Sequence, residues 1–156
     1  MNGDAYRAIE FQLDREIETA SALAATLNAE RGALTGSSPD AVRAKAAEKI
    51  TLFGALERQD TERRELCNAA GLTLPLIPRG SNPDMTDVPG PIAARWRNLL
   101  GLVAQCQTAN EVNGYIINAR RGQIGQLFQV LRGGAPSTYT AQGKTFATSL
   151  RALARA

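Results

Sequence analysis

Apolar residues along this chain recur at alternating intervals of three and four, the spacing of helices packed lengthwise against neighbours. In the first segment Leu13, Ile17, Ala20, Ala24, Leu27 and Leu34 keep that spacing, broken by Arg31, and Tyr6 and Ile9 extend the same face toward the N-terminus. The pattern predicts a helix over about 4–35. The run Gly36-Ser37-Ser38-Pro39-Asp40 interrupts it. Ser38 is suited to cap the next helix and Pro39 to open it, because the first helical turn has no use for the missing N–H. A second helix over about 39–70 then carries Val42, Ala46, Ile50, Phe53, Leu56 and Cys67 on one face, and Gly71 stands where a left-handed stop belongs. So short a connection makes the first two helices antiparallel neighbours.

Residues 71–90 form a Pro-rich loop holding Pro75, Pro78, Pro83 and Pro89, with Pro91 just beyond. Its first half, with Leu72, Leu74, Leu76 and Ile77, is apolar enough to fold back over the bundle end, while the part through Ser81-Asn82-Pro83-Asp84 reads as a mobile loop. The third segment is the longest. Ile92, Trp96, Leu99, Val103, Cys106, Asn110, Asn113, Ile117, Arg120, Ile124, Leu127 and Leu131 predict a helix over about 91–132, closed by Gly133-Gly134. At 1.5 Å per residue it is roughly 60 Å long, so it must overhang its partners or bend, and Gly114 and Gly122 are the weak points. Residues 135–156 begin as a turn-rich linker and end in an amphipathic stretch carrying Phe146, Leu150 and Leu153. Alone that stretch is too short to hold a helix in water, so it docks on the bundle, docks on another chain, or frays. The fold class is therefore all-α: an antiparallel bundle of three long helices over 1–134 with coiled-coil-like packing, then a flexible C-terminal segment.

Composition narrows the function. Aromatic residues make up only 5% of the 156, which suits an aliphatic helical core better than a β-sandwich. Histidine is absent, which removes the commonest general base and metal ligand. Cys67 and Cys106 lack metal-site spacing and read as small buried residues rather than a disulfide. No apolar run approaches a membrane span, so no membrane insertion is expected, and the first residues do not read as a signal peptide; the expected compartment is the cytoplasm. Glu57, Asp60, Glu62 and Glu65 alternate with Arg58, Arg63 and Arg64, the signature of a solvated helix face rather than a catalytic carboxylate pair. Neither catalytic residues nor cofactors are expected.

Charge is unevenly placed. Residues 1–70 carry 9 Lys/Arg against 12 Asp/Glu, and residues 71–156 carry 9 against 3. After Glu111 no acidic side chain remains, while Arg120, Arg121, Arg132, Lys144, Arg151 and Arg155 follow. The basic third helix can lie against the acidic first pair, or the C-terminal region can present a surface to an acidic partner. Without a dense basic cluster or stacking aromatics, a nucleic-acid partner is not expected.

The step Asn110-Glu111-Val112-Asn113-Gly114 puts Asn110 and Asn113 at seam positions of the third helix, where apolar residues are expected. Either the helix is solvent-exposed there, or another chain completes the seam. The step is followed by Ile116-Ile117, Leu127 and Leu131, then by Tyr139-Thr140-Ala141-Gln142-Gly143, and Trp96 opens the same helix. In these features and in length the chain resembles the FlgN family, whose members often close on a Tyr-Gly-x-x-Gly turn; Thr140 departs from that turn. The resemblance implies a flagellar type III secretion chaperone without catalytic activity. It would bind the C-terminal helices of the hook–filament junction proteins, prevent their premature assembly, and bring them to the flagellar export apparatus. An apolar helical groove fits that task. The client-binding residues expected are Asn113, Ile117, Ile124, Leu127, Tyr139, Phe146, Leu150 and Leu153, with Phe146, Leu150 and Leu153 equally suited to docking on their own bundle. A generic helical-bundle adaptor or another secretion chaperone shares the same pattern, and a homo-oligomer is compatible with it.

Overall fold

The computed structural model describes residues 2–36, 38–75 and 82–131, with the side chains of residues 124, 127, 128 and 130 outside the description. Three helices account for most of these residues: α1 Gly3–Thr35, α2 Pro39–Ala70 and α3 Gly90–Leu131. The boundaries of α2 have a local cause. The Ser38 side chain accepts from the amide of Ala41 at 3.3 Å and Pro39 opens α2, while Gly71 closes it in the left-handed region at φ 66°. A side chain at Gly71 would be strained there, and its amide reaches back to the last carbonyls of α2.

α1 is the centre of the bundle. It packs against both α2 and α3, whereas no Cα of α2 lies within 8 Å of one of α3 among the described residues. The direction of each pairing follows from the contacts. Glu16 meets Arg63 and Glu30 meets Lys49, so α1 and α2 run antiparallel. Asp14 meets Arg95, Ala20 meets Cys106 and Leu27 meets Asn113, so α1 and α3 run parallel. Three helices in up-down-up order result, with long side chains bridging the wider α2–α3 seam.

The core between them is mainly aliphatic: Ile9, Leu13, Leu23 and Leu27 of α1, Leu56 of α2, and Ile92, Leu99 and Val103 of α3, joined by the ring of Phe53 on α2. Trp96 is buried at one end, and its indole N–H donates to the Pro75 carbonyl at 3.0 Å. That bond ties the loop to the bundle, and Leu74 is buried beside it, while Leu76 and Ile77 lie outside the described residues. The later part of the loop, read from its composition as mobile, packs two residues against the bundle. Met85 and Val88 are buried in the core, and Asp84 forms a turn with the amide and hydroxyl of Thr86. Cys67 and Cys106 are buried free thiols, the latter bonded to the Ala20 carbonyl and pushed up to about 11 by burial.

Two expectations for α2 need correction. Ile50 is 55% exposed, and its neighbour Lys49 is buried instead. Asp60 and Arg63, read from the sequence as part of a solvated face, are also buried, whereas Glu57, Arg58, Glu62, Arg64 and Glu65 are exposed. The cause is electrostatic. α2 is turned so that Lys49 and Arg63 reach the buried carboxylates of Glu30 and Glu16 on α1. An unpaired buried carboxylate would cost several kcal/mol, more than the roughly 1.5–3 kcal/mol from burying one isoleucine side chain.

Candidate functional site

Two polar layers cross the bundle, and their positions define what is left open. The first lies near the Pro-rich loop. Arg63 donates from Nε to both carboxylate oxygens of Glu16, at 3.1 and 3.2 Å, and its Nη2 bonds Asp60. Asp60 also pairs with Arg64 at 2.8 Å, and the Arg63 guanidinium lies over the Trp96 ring at 4.5 Å from its centroid. Gln12 extends the layer by donating to the Gln59 carbonyl at 2.9 Å. With Leu56, Leu99, Leu100 and Val103, Glu16, Arg63 and Trp96 line a small recess between the three helices. Burial pushes the Glu16 carboxyl up to about 7, against the lowering effect of Arg63.

The second layer lies about 21 Å along α1, fourteen residues further on. Here Glu30 accepts from Lys49 Nζ at 2.7 Å and from Asn113 Nδ2 at 2.8 Å. The same Asn113 nitrogen donates to the Leu27 carbonyl at 2.9 Å, and Asn113 Oδ1 accepts from Arg31 Nε at 3.3 Å. Lys49 Nζ reaches Asn110 Oδ1 at 3.5 Å. All three helices therefore meet in one hydrogen-bonded layer. Asn113 is 0% exposed. Neither reading of the seam asparagines survives at this residue: the helix is not solvent-exposed there, and α1 of the same chain completes the seam. Asn113, expected to touch a client, has its side chain enclosed by α1 within the chain itself.

Beyond this layer α3 leaves its partners. Ile116 and Ile117 are half-buried and Tyr115 is 74% exposed. Arg120 Nη2 donates to the Gly36 carbonyl at 3.4 Å, which places the end of α1 beside Arg120. Residues 121–131 of α3 continue past that point for about 16 Å. Arg121, Gly122, Gln123, Gly125 and Gln126 are exposed there, and Leu131 is 72% exposed. Of the expected client-binding residues, Ile117 stands at the root of this overhang. Ile124 and Leu127 belong to its helix, with side chains outside the described residues. Tyr139, Phe146, Leu150 and Leu153 lie outside the described residues altogether.

Sequence reasoning missed the Glu30–Lys49 and Glu16–Arg63 layers. The signal available was the position of Glu16 and Glu30, which fall on the same three-four ladder as Leu13, Ala20, Ala24 and Leu27. Charge balance is resolved in part. Arg95 pairs with Glu10 at 3.3 Å and Asp14 at 2.8 Å, so the start of α3 does lie against the acids of α1. Among the described residues, Arg120 and Arg121 have no such carboxylate partner.

No described helix is long and apolar enough to cross a membrane. Among the described residues no group of three or more Cys, Asp or Glu side chains is placed to hold a metal ion. The geometry is that of a bundle locked by two polar layers, with one helix continuing past the end of α1. Comparison with known proteins agrees with it. A family model described as FlgN protein matches residues 1–146. No curated protein and no solved structure matches the chain.

Proposed function

The chain belongs to the FlgN family of flagellar export chaperones, and from that premise we propose that it binds the C-terminal helices of hook–filament junction proteins, keeps them from assembling early and presents them to the export apparatus. It acts in the cytoplasm by binding alone, with no chemical turnover. The observation that carries this reading is the overhang of α3, which projects beyond the end of α1 and exposes Leu131. An amphipathic client helix needs an apolar stripe to cover the face it would otherwise use for assembly. Ile117, Ile124, Leu127 and Leu131 follow one another at seven, three and four residues along α3, a continuous helical stripe. Phe146, Leu150 and Leu153 offer a second apolar face at helical spacing, and Tyr139 stands in the connection between them. In this reading Asn113 is a positioning residue: its bonds to Leu27 and Glu30 hold α3 in register so that the stripe begins where α1 ends.

Co-purification with the C-terminal segment of each junction protein tests the proposal, using the full chain and a chain lacking residues 135–156. Stable binding by the full chain is expected, with loss or strong weakening on truncation. Failure to bind either segment would overturn the junction-protein assignment. Unchanged binding by the truncated chain would remove Tyr139, Phe146, Leu150 and Leu153 from the site and leave it on α3.

A further inference from the structure

The charge of the overhang specifies the client more closely than its apolar stripe does. Along α3 the cations divide into two groups. Near the start, Arg95 is paired with Glu10 and Asp14 of α1, while Arg97 is exposed. Near the end, Arg120 has only the carbonyl of Gly36, at 3.4 Å, and Arg121 is exposed with no carboxylate partner among the described residues. The asymmetry extends through the sequence. After Glu111 the chain has no acidic residue, while Arg132, Lys144, Arg151 and Arg155 add to the two arginines. The end of α1 and the start of α2 do little to offset this charge. Asp40 is the nearest acid in sequence to that turn, and it is already paired with Arg43 at 3.1 Å.

A cationic surface left without counter-charges beside an apolar stripe repels a basic partner and favours an acidic one, because like charges brought together at an interface are strongly penalised. We propose that the segment received by the overhang is an amphipathic helix whose polar face is acidic, with Arg120 and Arg121 pairing with carboxylates that flank its apolar face. The inference rests on the reading of α3 as the client seat and adds the chemistry of the client. It assigns two roles. The stripe supplies affinity through burial, and the arginines select which amphipathic helices are accepted and in which orientation they lie.

Three designed peptides test it against the full chain by fluorescence anisotropy. All carry leucines at helical spacing, and their polar faces are glutamate, glutamine or lysine. The glutamate peptide is expected to bind at least about tenfold more tightly than the lysine peptide. Its advantage is expected to shrink several-fold between about 0.05 M and 0.5 M salt, as screening lengths fall from about 14 Å to about 4 Å. The double variant Arg120→Glu/Arg121→Glu is expected to reverse the preference. Arg121→Glu alone is the control for folding, since Arg121 is exposed with no hydrogen bond or ion pair among the described residues, and it is expected to reduce the preference with an unchanged circular dichroism melt. Equal binding of the glutamate and lysine peptides, binding of none, or indifference to both variants would overturn the proposal. So would a single-stranded oligonucleotide binding as tightly as the glutamate peptide.

The two readings fail separately. Junction-protein segments that bind with no dependence on Arg120 and Arg121 would uphold the chaperone assignment and overturn the acidic-face requirement. A glutamate-peptide preference with no binding of junction-protein segments would do the reverse.

Discussion

At the scale of single residues, the informative positions are polar ones inside the bundle. Glu16 is the clearest. Its carboxylate is enclosed by α1 and α2, and burial pushes it up to about 7 from an ordinary 4.5 although Arg63 donates to both oxygens. A raised pKa means that the folded chain holds this proton more tightly than the unfolded chain does. The stability it contributes is complete below about pH 4.5 and is lost as the pH rises through about 7. Urea unfolding should therefore show stability falling by about 2–3 kcal/mol between pH 5 and 8 from this group, with Glu16→Gln flattening the slope. Stability that rises over that range in the parent, with no change of slope in the variant, would mean that Arg63 keeps Glu16 ionised throughout. Asn113 teaches a related lesson about legibility. Its place in the apolar ladder marked it as unusual from sequence alone. Its partners were not legible, because spacing along one helix does not say which neighbouring helix supplies a carboxylate and a carbonyl at the same height.

At the scale of elements, the helices were legible where local chemistry sets them and illegible where distant partners do. Ser38, Pro39 and Gly71 bound α2 by capping rules that operate within a few residues. The inward face of α2 was misread because its apolar periodicity competes with two ion pairs. Ile50 gives way to Lys49, and Asp60 and Arg63 turn inward, since charges already buried on α1 must be met. The overhang of α3 raises a different question, how helical it is beyond the end of α1. Gly122 and Gly125 lie within it, and an added Cβ at either would meet no atom within 4 Å. Glycine costs about 1 kcal/mol relative to alanine inside a helix. Gly122→Ala/Gly125→Ala should slow amide exchange across the overhang about fivefold or more per site, with little effect on global unfolding. Unchanged exchange would mean that contacts, rather than helix propensity, govern this end of α3.

At the scale of the whole molecule, folding and binding are divided along the long axis. The described hydrophobic core reaches along α3 as far as Ala109, and the polar layer at Asn113 closes it. That layer joins Glu30, Lys49, Asn110 and Asn113, so removing one member strands buried polar groups and costs about 1–3 kcal/mol for a neutral one. It contributes registry more than net stability, because apolar replacements of buried ionic groups are often neutral. Past it, Ile116 and Ile117 are half-buried and Arg120 reaches the Gly36 carbonyl at the end of α1. A chain ending at Arg121 should therefore retain a cooperative urea transition with an unchanged m-value, because the surface buried by the bundle is intact. The same chain should lose client binding in full, where removal of residues 135–156 alone weakens it. A fall in m-value or loss of cooperativity would show that residues 122–156 belong to the folding unit. Client binding that survives would move the seat to the three-helix bundle itself, where Arg63 on Trp96 and Lys49 to Asn110 bridge the wider seam between α2 and α3.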